Sequence, residues 1–272
     1  MANITVIMGV YNSSEILPNC INSVIQQTYP DWEMIICDDC STDNTYAVAE
    51  QFASLYDNIV LIKNEKNMGL AYSLNKCLSL ARGEFIARTD ADDISYPERF
   101  QKQIDFLNEN KEYQVVGSSV VLYDDQGEKV LRKAIERPSV ESLIKGKSFI
   151  HPTIMMRKET YDALGGYVVS KRTQRGQDTD LWFRFFSKGF KGYNIQEPLC
   201  KYHESLKDYN KRSFIVRCRG MKTRFIGYRR LKVPARYYVY LLKPLIGAFI
   251  PKKIMYYYHK SIKAKKIEGS YY

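Results

Sequence analysis

Residues 84–93 read Glu84-Phe85-Ile86-Ala87-Arg88-Thr89-Asp90-Ala91-Asp92-Asp93. Glu84 to Ala87 has the length, and the aromatic and β-branched side chains, of a buried strand. The run ends in a tight acidic cluster: Asp90 and Asp92 lie two apart, with Asp93 adjacent. Carboxylates crowded this closely repel one another unless a cation sits among them. A hard divalent ion, Mg²⁺ or Mn²⁺, suits oxygen ligands and can bridge to phosphate oxygens. A solvated acidic turn in which Asp93 caps a helix is the other reading of the same residues.

Upstream, short β-branched runs alternate with helical patterns. Ile4 to Val10 reads as a strand, and Ile16 to Ile25 as a helix with apolar residues at 16, 17, 21, 24 and 25. Trp32 to Cys37 is a second strand, followed by a helix through Val48, Phe52 and Leu55 that Thr42 or Asp43 could cap. Ile59 to Ile62 is a third strand, and a helix runs from about Leu70 to Leu80. Downstream, Pro97 can open a helix through Phe100, Ile104 and Leu107. Val115 to Tyr123 is a strand closed by a turn at Asp124–Gly127, Ile154–Met156 is extended, and Gly165-Gly166 ends a short helix. A further helix starts near Asp178. This alternation predicts an α/β fold with a mainly parallel sheet flanked by helices.

In such sheets ligands bind beyond the carboxyl ends of the strands. Tyr11-Asn12, Asp38-Asp39 and Asp90–Asp93 all follow strand ends. Asp38 or Asp39 can accept hydrogen bonds from a nucleobase or a ribose; an Asx turn with a helix cap from Ser41, Thr42 or Asp43 is the alternative. Asp178, in Arg175-Gly176-Gln177-Asp178-Thr179-Asp180-Leu181-Trp182, could be a general base or only an N-terminal cap. His151 and His203 each follow an extended apolar segment and could touch a metal or phosphate, or be structural.

Composition narrows the classes. At 272 residues and 45% apolar, the chain can bury a sizeable core. Met1-Ala2-Asn3-Ile4 does not open a basic region followed by an apolar run, and six cysteines are too sparse for a disulfide scaffold, so the expectation is a reducing, cytoplasmic compartment. Cys37 and Cys40 form a C-x-x-C with no second pair to complete a zinc site. No dinucleotide-binding glycine fingerprint, phosphate-binding P-loop or serine nucleophile elbow occurs.

Taken in order, these segments resemble the family 2 glycosyltransferases. The resemblance rests on Ile4–Asn12, Gln26-Gln27-Thr28-Tyr29, Asp38–Asp43, Asn67-Met68-Gly69, Ala81–Ile86, Thr89–Asp93, Pro97-Glu98-Arg99, His151-Pro152-Thr153 with Met156-Arg157, and Gln177–Trp182. It covers about residues 3 to 205. It implies a GT-A, Rossmann-like fold and inverting, metal-dependent transfer of a hexose or N-acetylhexosamine from a nucleotide sugar, most often UDP-linked, to a hydroxyl of a glycan or lipid-linked glycan. The products of such relatives are bacterial capsule, O-antigen or other cell-envelope polysaccharide. By the same resemblance Asp39 would contact the base, with Asp38, Val10, Tyr11, Asn12 and Asn67 around the nucleotide. Asp92 would be the main Mn²⁺ or Mg²⁺ ligand, with Asp90 and Ala91 beside it and His203 as a further candidate. Asp178 would be the catalytic base, and His151, Arg157, Gln177 and Trp182 would shape the sugar and acceptor region. Relatives often carry a hydroxyl residue where Gly9 stands, and Glu where Gln177 stands.

Two rival readings are weaker. A nucleotidyltransferase would want a basic loop after the first strand, and Gly9 to Ser14 holds no Lys or Arg. A non-catalytic nucleotide- or carbohydrate-binding module would not need Asp178.

Charge divides the chain. Residues 1–205 carry 23 Lys/Arg against 28 Asp/Glu, whereas 206–272 carry 18 against 2 and include ten tyrosines. The expectation is a catalytic domain over 1–205 and a basic, Tyr-rich helical extension over 206–272. Val233 to Pro251 is apolar but interrupted by Pro234, Arg236, Lys243 and Pro244, which makes a poor spanning helix. Amphipathic helices on an anionic membrane surface fit better, placing the protein peripherally on the inner face of the bacterial membrane. Packing on the catalytic domain or in a homodimer is the alternative; nucleic acid lacks a recognition motif.

Overall fold

Strand and helix alternate along the first hundred residues as the hydrophobic periodicity requires. The computed structural model describes residues 2–124, 127–204 and 213–243. The strands are β1 Ile4–Val10, β2 Trp32–Asp38, β3 Ile59–Lys63, β4 Phe85–Arg88, β5 Ile94–Ser95, β6 Val115–Asp124, β7 Gly127–Arg132, β8 Met155–Arg157 and β9 Gly192–His203. The helices are α1 Leu17–Ile25, α2 Thr45–Leu55, α3 Leu70–Leu80, α4 Arg99–Glu109, α5 Val140–Ile144, α6 Lys158–Leu164, α7 Gln177–Ser187 and α8 Phe214–Arg230.

The nine described strands form one sheet in the order β3-β2-β1-β4-β8-β6-β9-β5, with β7 paired to β6. β1, β2, β3 and β4 are mutually parallel. β8 is antiparallel to both β4 and β6, so β6 and its parallel partner β9 run in the direction of β1. The carboxyl ends of β1, β2, β4, β6 and β9 therefore share one edge of the sheet.

Period-two alternation sorts the core into two layers. Ile4, Val6, Met8 and Val10 face a cluster with Leu17, Ile21 and Val24 of α1 and Phe100, Ile104 and Leu107 of α4. Ile7 faces the opposite cluster, with Leu74 and Cys77 of α3 and Leu181, Trp182 and Phe185 of α7. Gly9 belongs to that second face: a Cβ there would lie 2.8 Å from Leu70 Cδ1 and 3.1 Å from Ser73 Cβ. The missing side chain lets α3 lie close against β1, and a hydroxyl residue here would point into the helix.

Most boundaries match the sequence expectation to within a residue or two. α2 starts at Thr45, and Asp43 accepts from the Thr45 and Ser14 backbone N–H groups, tying the helix start to the loop after β1. α4 begins two residues past Pro97. The sequence reading did not anticipate β5, β7 or α5, and of β9 it saw only the extended apolar segment before His203. In β9, Pro198 removes a ladder donor, and the register against β6 shifts on either side of Ser119, which breaks the alternation that marks a strand.

Of the basic extension, the described part, 213–243, packs onto α7. A Cβ at Gly227 would lie 2.2 Å from Phe183, so α8 meets α7 in close contact. Tyr228 is fully buried and donates to the Ile144 carbonyl at 3.3 Å. The expected boundary at 205–206 and residues 206–212 and 244–272 of the expected tail lie outside the described residues. Among the described residues no helix is long and apolar enough to cross a membrane.

Candidate active site

The shared edge gathers five strand ends. Asp38 ends β2 opposite Val10 of β1 in the parallel register, and Arg88 ends β4. Tyr123 of β6 pairs with His203 of β9 at the same edge.

Beyond β4 the chain turns through Thr89 and Asp90, and the Asp93 N–H donates to the Asp90 carbonyl at 3.1 Å. Asp90, Asp92 and Asp93 each offer a carboxylate oxygen, all within 4.8 Å of one another. Arg88, 3% exposed at its side chain, forks onto both oxygens of Asp90. Asp92 faces outward, with its side chain 41% exposed and its Oδ2 3.9 Å from His203 Nδ1. Its main chain is held by Tyr123, whose hydroxyl donates to the Asp92 carbonyl at 2.6 Å. Asp93 accepts from the His203 N–H at 3.2 Å, and its Oδ2 is buried without a partner. Burial first, and then the Asp90 charge, push the Asp92 carboxyl up to about 6. Burial and both neighbouring carboxylates push Asp93 well above the carboxylate range. Arg88 offsets one of the three carboxylates; a hard oxygen donor set with charge left over and an unpaired buried oxygen fits a divalent cation.

On the β2 side, Asp39 is 4% exposed. It accepts from Asn64 Nδ2 at 2.8 Å, Met68 N at 2.8 Å and Gly69 N at 2.7 Å. Gly69 takes a φ of +87°, open to glycine, to present that N–H. Asp38 is fully buried; its Oδ2 accepts from Ser41 N at 3.1 Å, while Oδ1 has no partner. Asn12, at φ +50°, accepts from Thr42 N and donates its own N–H to Ser41 Oγ, lacing the β1 and β2 loops together. Tyr11 is 46% exposed beside it. Asn67 is exposed in the loop that Asp39 anchors, and Ala91 is buried beneath the acidic turn.

α7 brings the third segment. Asp178, in its first turn, is half-buried and accepts from the Thr179 N–H at 2.7 Å. Tyr167 lies within electrostatic reach of both Arg88, at the end of β4, and Asp178, at the start of α7. His151 Nε2 meets the Tyr167 hydroxyl at 2.9 Å, and Tyr167 meets Tyr161 at 3.0 Å. Burial and the nearby Arg88 hold His151 well below the usual imidazole range, so its ring is neutral. Trp182 is 2% exposed, with its ring centroid 4.4 Å from that of Phe149 and 5.5 Å from that of His151. Gln177 is the first residue of α7. Arg157 is a correction. Antiparallel pairing sets it opposite Phe85, at the amino end of β4, where it donates to the Leu107 carbonyl at 2.5 Å and never reaches the edge.

Arg88 and Tyr123 were missed in the sequence. For Arg88 a signal existed: positions 88 and 90 share a face at the end of a strand, so a cation there faces the first carboxylate. Tyr123 carried none, because its role depends on β6 lying beside β9.

A sequence model of the family described as Glycosyl transferase family 2 matches residues 5–222. The chain is 45% identical over 267 residues to "Putative glycosyltransferase EpsE" of Bacillus subtilis (strain 168), covering 98% of this chain and 96% of that one. It is 27% identical over 267 residues to the "UDP-Gal:alpha-D-GlcNAc-diphosphoundecaprenol beta-1,3-galactosyltransferase" of Escherichia coli, covering 92% and 96%. Among solved structures, Staphylococcus aureus TarS 1-349 in complex with UDP-GlcNAc superposes with a TM-score of 0.70 at 18% identity, covering 90% of this chain and 70% of that one. Against the same fragment without ligand, the chain spans 65% of its length.

Proposed function

The chain belongs to glycosyltransferase family 2, and from that premise we propose that it moves a hexose or N-acetylhexosamine from a UDP-sugar to a hydroxyl of a lipid-linked or oligosaccharide acceptor, with inversion at the anomeric carbon. The observation that carries this reading is the acidic triad at the end of β4, on the same sheet edge as the Asp38-Asp39 loop at the end of β2. The UDP-sugars named for one relative and one fold neighbour, and the lipid diphosphate named for that relative, support the donor and acceptor classes.

In this reading Asp39 and Asp38 meet the base and ribose, and Val10, Tyr11, Asn12 and Asn67 line the nucleotide. Asp92, with Asp90 and Ala91 beside it and His203 within reach, would hold Mn²⁺ or Mg²⁺. A bound divalent ion supplies positive charge against the negative charge growing on the leaving diphosphate. Arg88 holds Asp90 in place from beneath. Asp178 takes the proton from the acceptor hydroxyl as that oxygen attacks the anomeric carbon. The bond to the diphosphate oxygen breaks on the opposite face, and its electron pair leaves with the nucleotide. His151, Gln177 and Trp182 shape the wall behind the sugar. Residues 1–205 perform the chemistry, and 206–272 hold the enzyme against the inner face of an anionic bacterial membrane, where cell-envelope polysaccharide is built.

The test is a transfer screen over UDP-sugars with Mn²⁺ or Mg²⁺ and a membrane lipid extract as acceptor. One sugar should be transferred, and chelation should abolish the activity. Full transfer in excess chelator would sink the metal assignment. Asp178→Asn should lower turnover by about 10²–10⁴-fold with little change in donor affinity; near-normal turnover would remove Asp178 as the base.

A further inference from the structure

The loop leading into α7 and the first turns of α8 enclose a shallow cleft lined by Lys171, Arg172, Gln174, Arg175, Val216 and Arg219. None of these is acidic. Arg172 pairs with Asp180 at 2.6 Å, but Asp180 also holds Arg184 at 2.8 Å, so one carboxylate is shared between two guanidiniums. Arg219 donates to Gln174 at 3.2 Å. Lys171 and Arg175 are exposed and have no ion pair or hydrogen bond among the described residues. Lys171, Arg175 and Arg219 thus have no carboxylate partner among the described residues, and guanidinium and ammonium groups so placed suit phosphate oxygens.

The cleft's position is as telling as its charge. Arg175 lies three residues before Asp178, and Arg172 binds Asp180 in the same helical turn, so the cleft abuts the turn that carries the proposed base. Thr223 of α8 donates to the Arg172 carbonyl at 3.1 Å, which fixes the opposite wall. The donor side of the site is acidic and would take its diphosphate through a metal, whereas the residues lining this cleft are mostly cationic. Phe214 and Ile215, the two residues before Val216 at the start of α8, are 61% and 62% exposed.

We propose that this cleft binds the diphosphate of a lipid-linked acceptor, with the lipid chain leaving over Phe214 and Ile215 and the acceptor sugar delivered to Asp178. The assignment rests on the glycosyl-transfer reading and names where its acceptor is held.

The test uses the full chain in calorimetric titrations. With chelator present, which closes the metal-dependent route, inorganic pyrophosphate and a short-chain prenyl diphosphate are titrated separately. Both should bind, the prenyl compound about tenfold more tightly. Lys171→Ala and Arg175→Ala should each weaken binding by about fivefold, and the double variant should abolish it. UDP titration with Mn²⁺ reports the donor site and the fold, and should be unchanged in all variants. Pyrophosphate binding that survives in the double variant, or is absent from the wild type, overturns the proposal. Equal affinity for the two diphosphates overturns the lipid-linked assignment, and so does displacement of the prenyl diphosphate by acceptor-free phosphatidylglycerol vesicles. A wild-type chain that fails to bind UDP overturns the glycosyl-transfer reading itself, separately and visibly.

Discussion

Asp39, proposed to meet the base, also has a structural task. Its three acceptor bonds, to Asn64, Met68 and Gly69, hold the β3–α3 loop in place before any nucleotide arrives. Asp39→Ala should therefore lower the stability of the ligand-free chain by about 1–3 kcal/mol as well as weaken UDP binding. Chemical unfolding without ligand, set beside UDP titration, checks this; an unchanged unfolding midpoint would count against it. Glu33 offers a cleaner pH test away from the site. Its side chain is 2% exposed and accepts from Thr5 Oγ1, the Arg82 N–H and the Arg82 guanidinium. Burial alone would raise its carboxyl, but those bonds outweigh it and hold it below the ordinary 4.5. A depressed carboxyl stabilises the fold above pH 4.5, and that contribution is lost as pH falls through the folded-state value. Glu33→Gln should be less stable than wild type at neutral pH, and the gap should close below pH 4.5, measured by denaturant unfolding across pH.

The contact of α7 with α8 decides more at the scale of elements than either helix alone. Gly227 leaves no room between α8 and Phe183 for even a methyl group. Gly227→Ala should cost about 1–3 kcal/mol through overpacking and lower the thermal midpoint; an unchanged midpoint would show that α8 is not seated this way. The sequence offered packing on the catalytic domain only as an alternative, because basic residues break the apolar stripe of α8 and the decisive residue has no side chain. The frame through β4 was legible for the opposite reason. Residues such as Ile4, Val6, Met8 and Val10 keep strict alternation, and the acidic turn stands directly at a strand end. β9 was read only in part because Pro198 and the register shifts at Ser119 spoil its period. His203 could still be named as a candidate beside Asp92, but Tyr123 could not, since its place depends on β6 lying beside β9. Arg157 was misplaced because nothing local reveals that β8 runs antiparallel.

The whole molecule separates its charges, with a surplus of acid before residue 205 and 18 Lys/Arg against 2 Asp/Glu after it. Binding of the full chain to phosphatidylglycerol vesicles should accordingly weaken steeply between low and physiological salt, as surface attraction is screened within about 8–10 Å. Co-sedimentation that ignores salt would argue against an electrostatic tail. One feature of the sheet also bears on how the chain is made. β9 lies between β6 and β5, yet it is the last of the described strands to leave the ribosome, and the hydrogen bond from His203 to Asp93 spans 110 residues. Domains generally fold as units once their chain has emerged. The β1–β4 block and its acidic turn therefore wait for a strand not yet translated. Until then β5 has no partner and the edge of β6 stands open, so a stall in translation before residue 192 would leave an aggregation-prone intermediate.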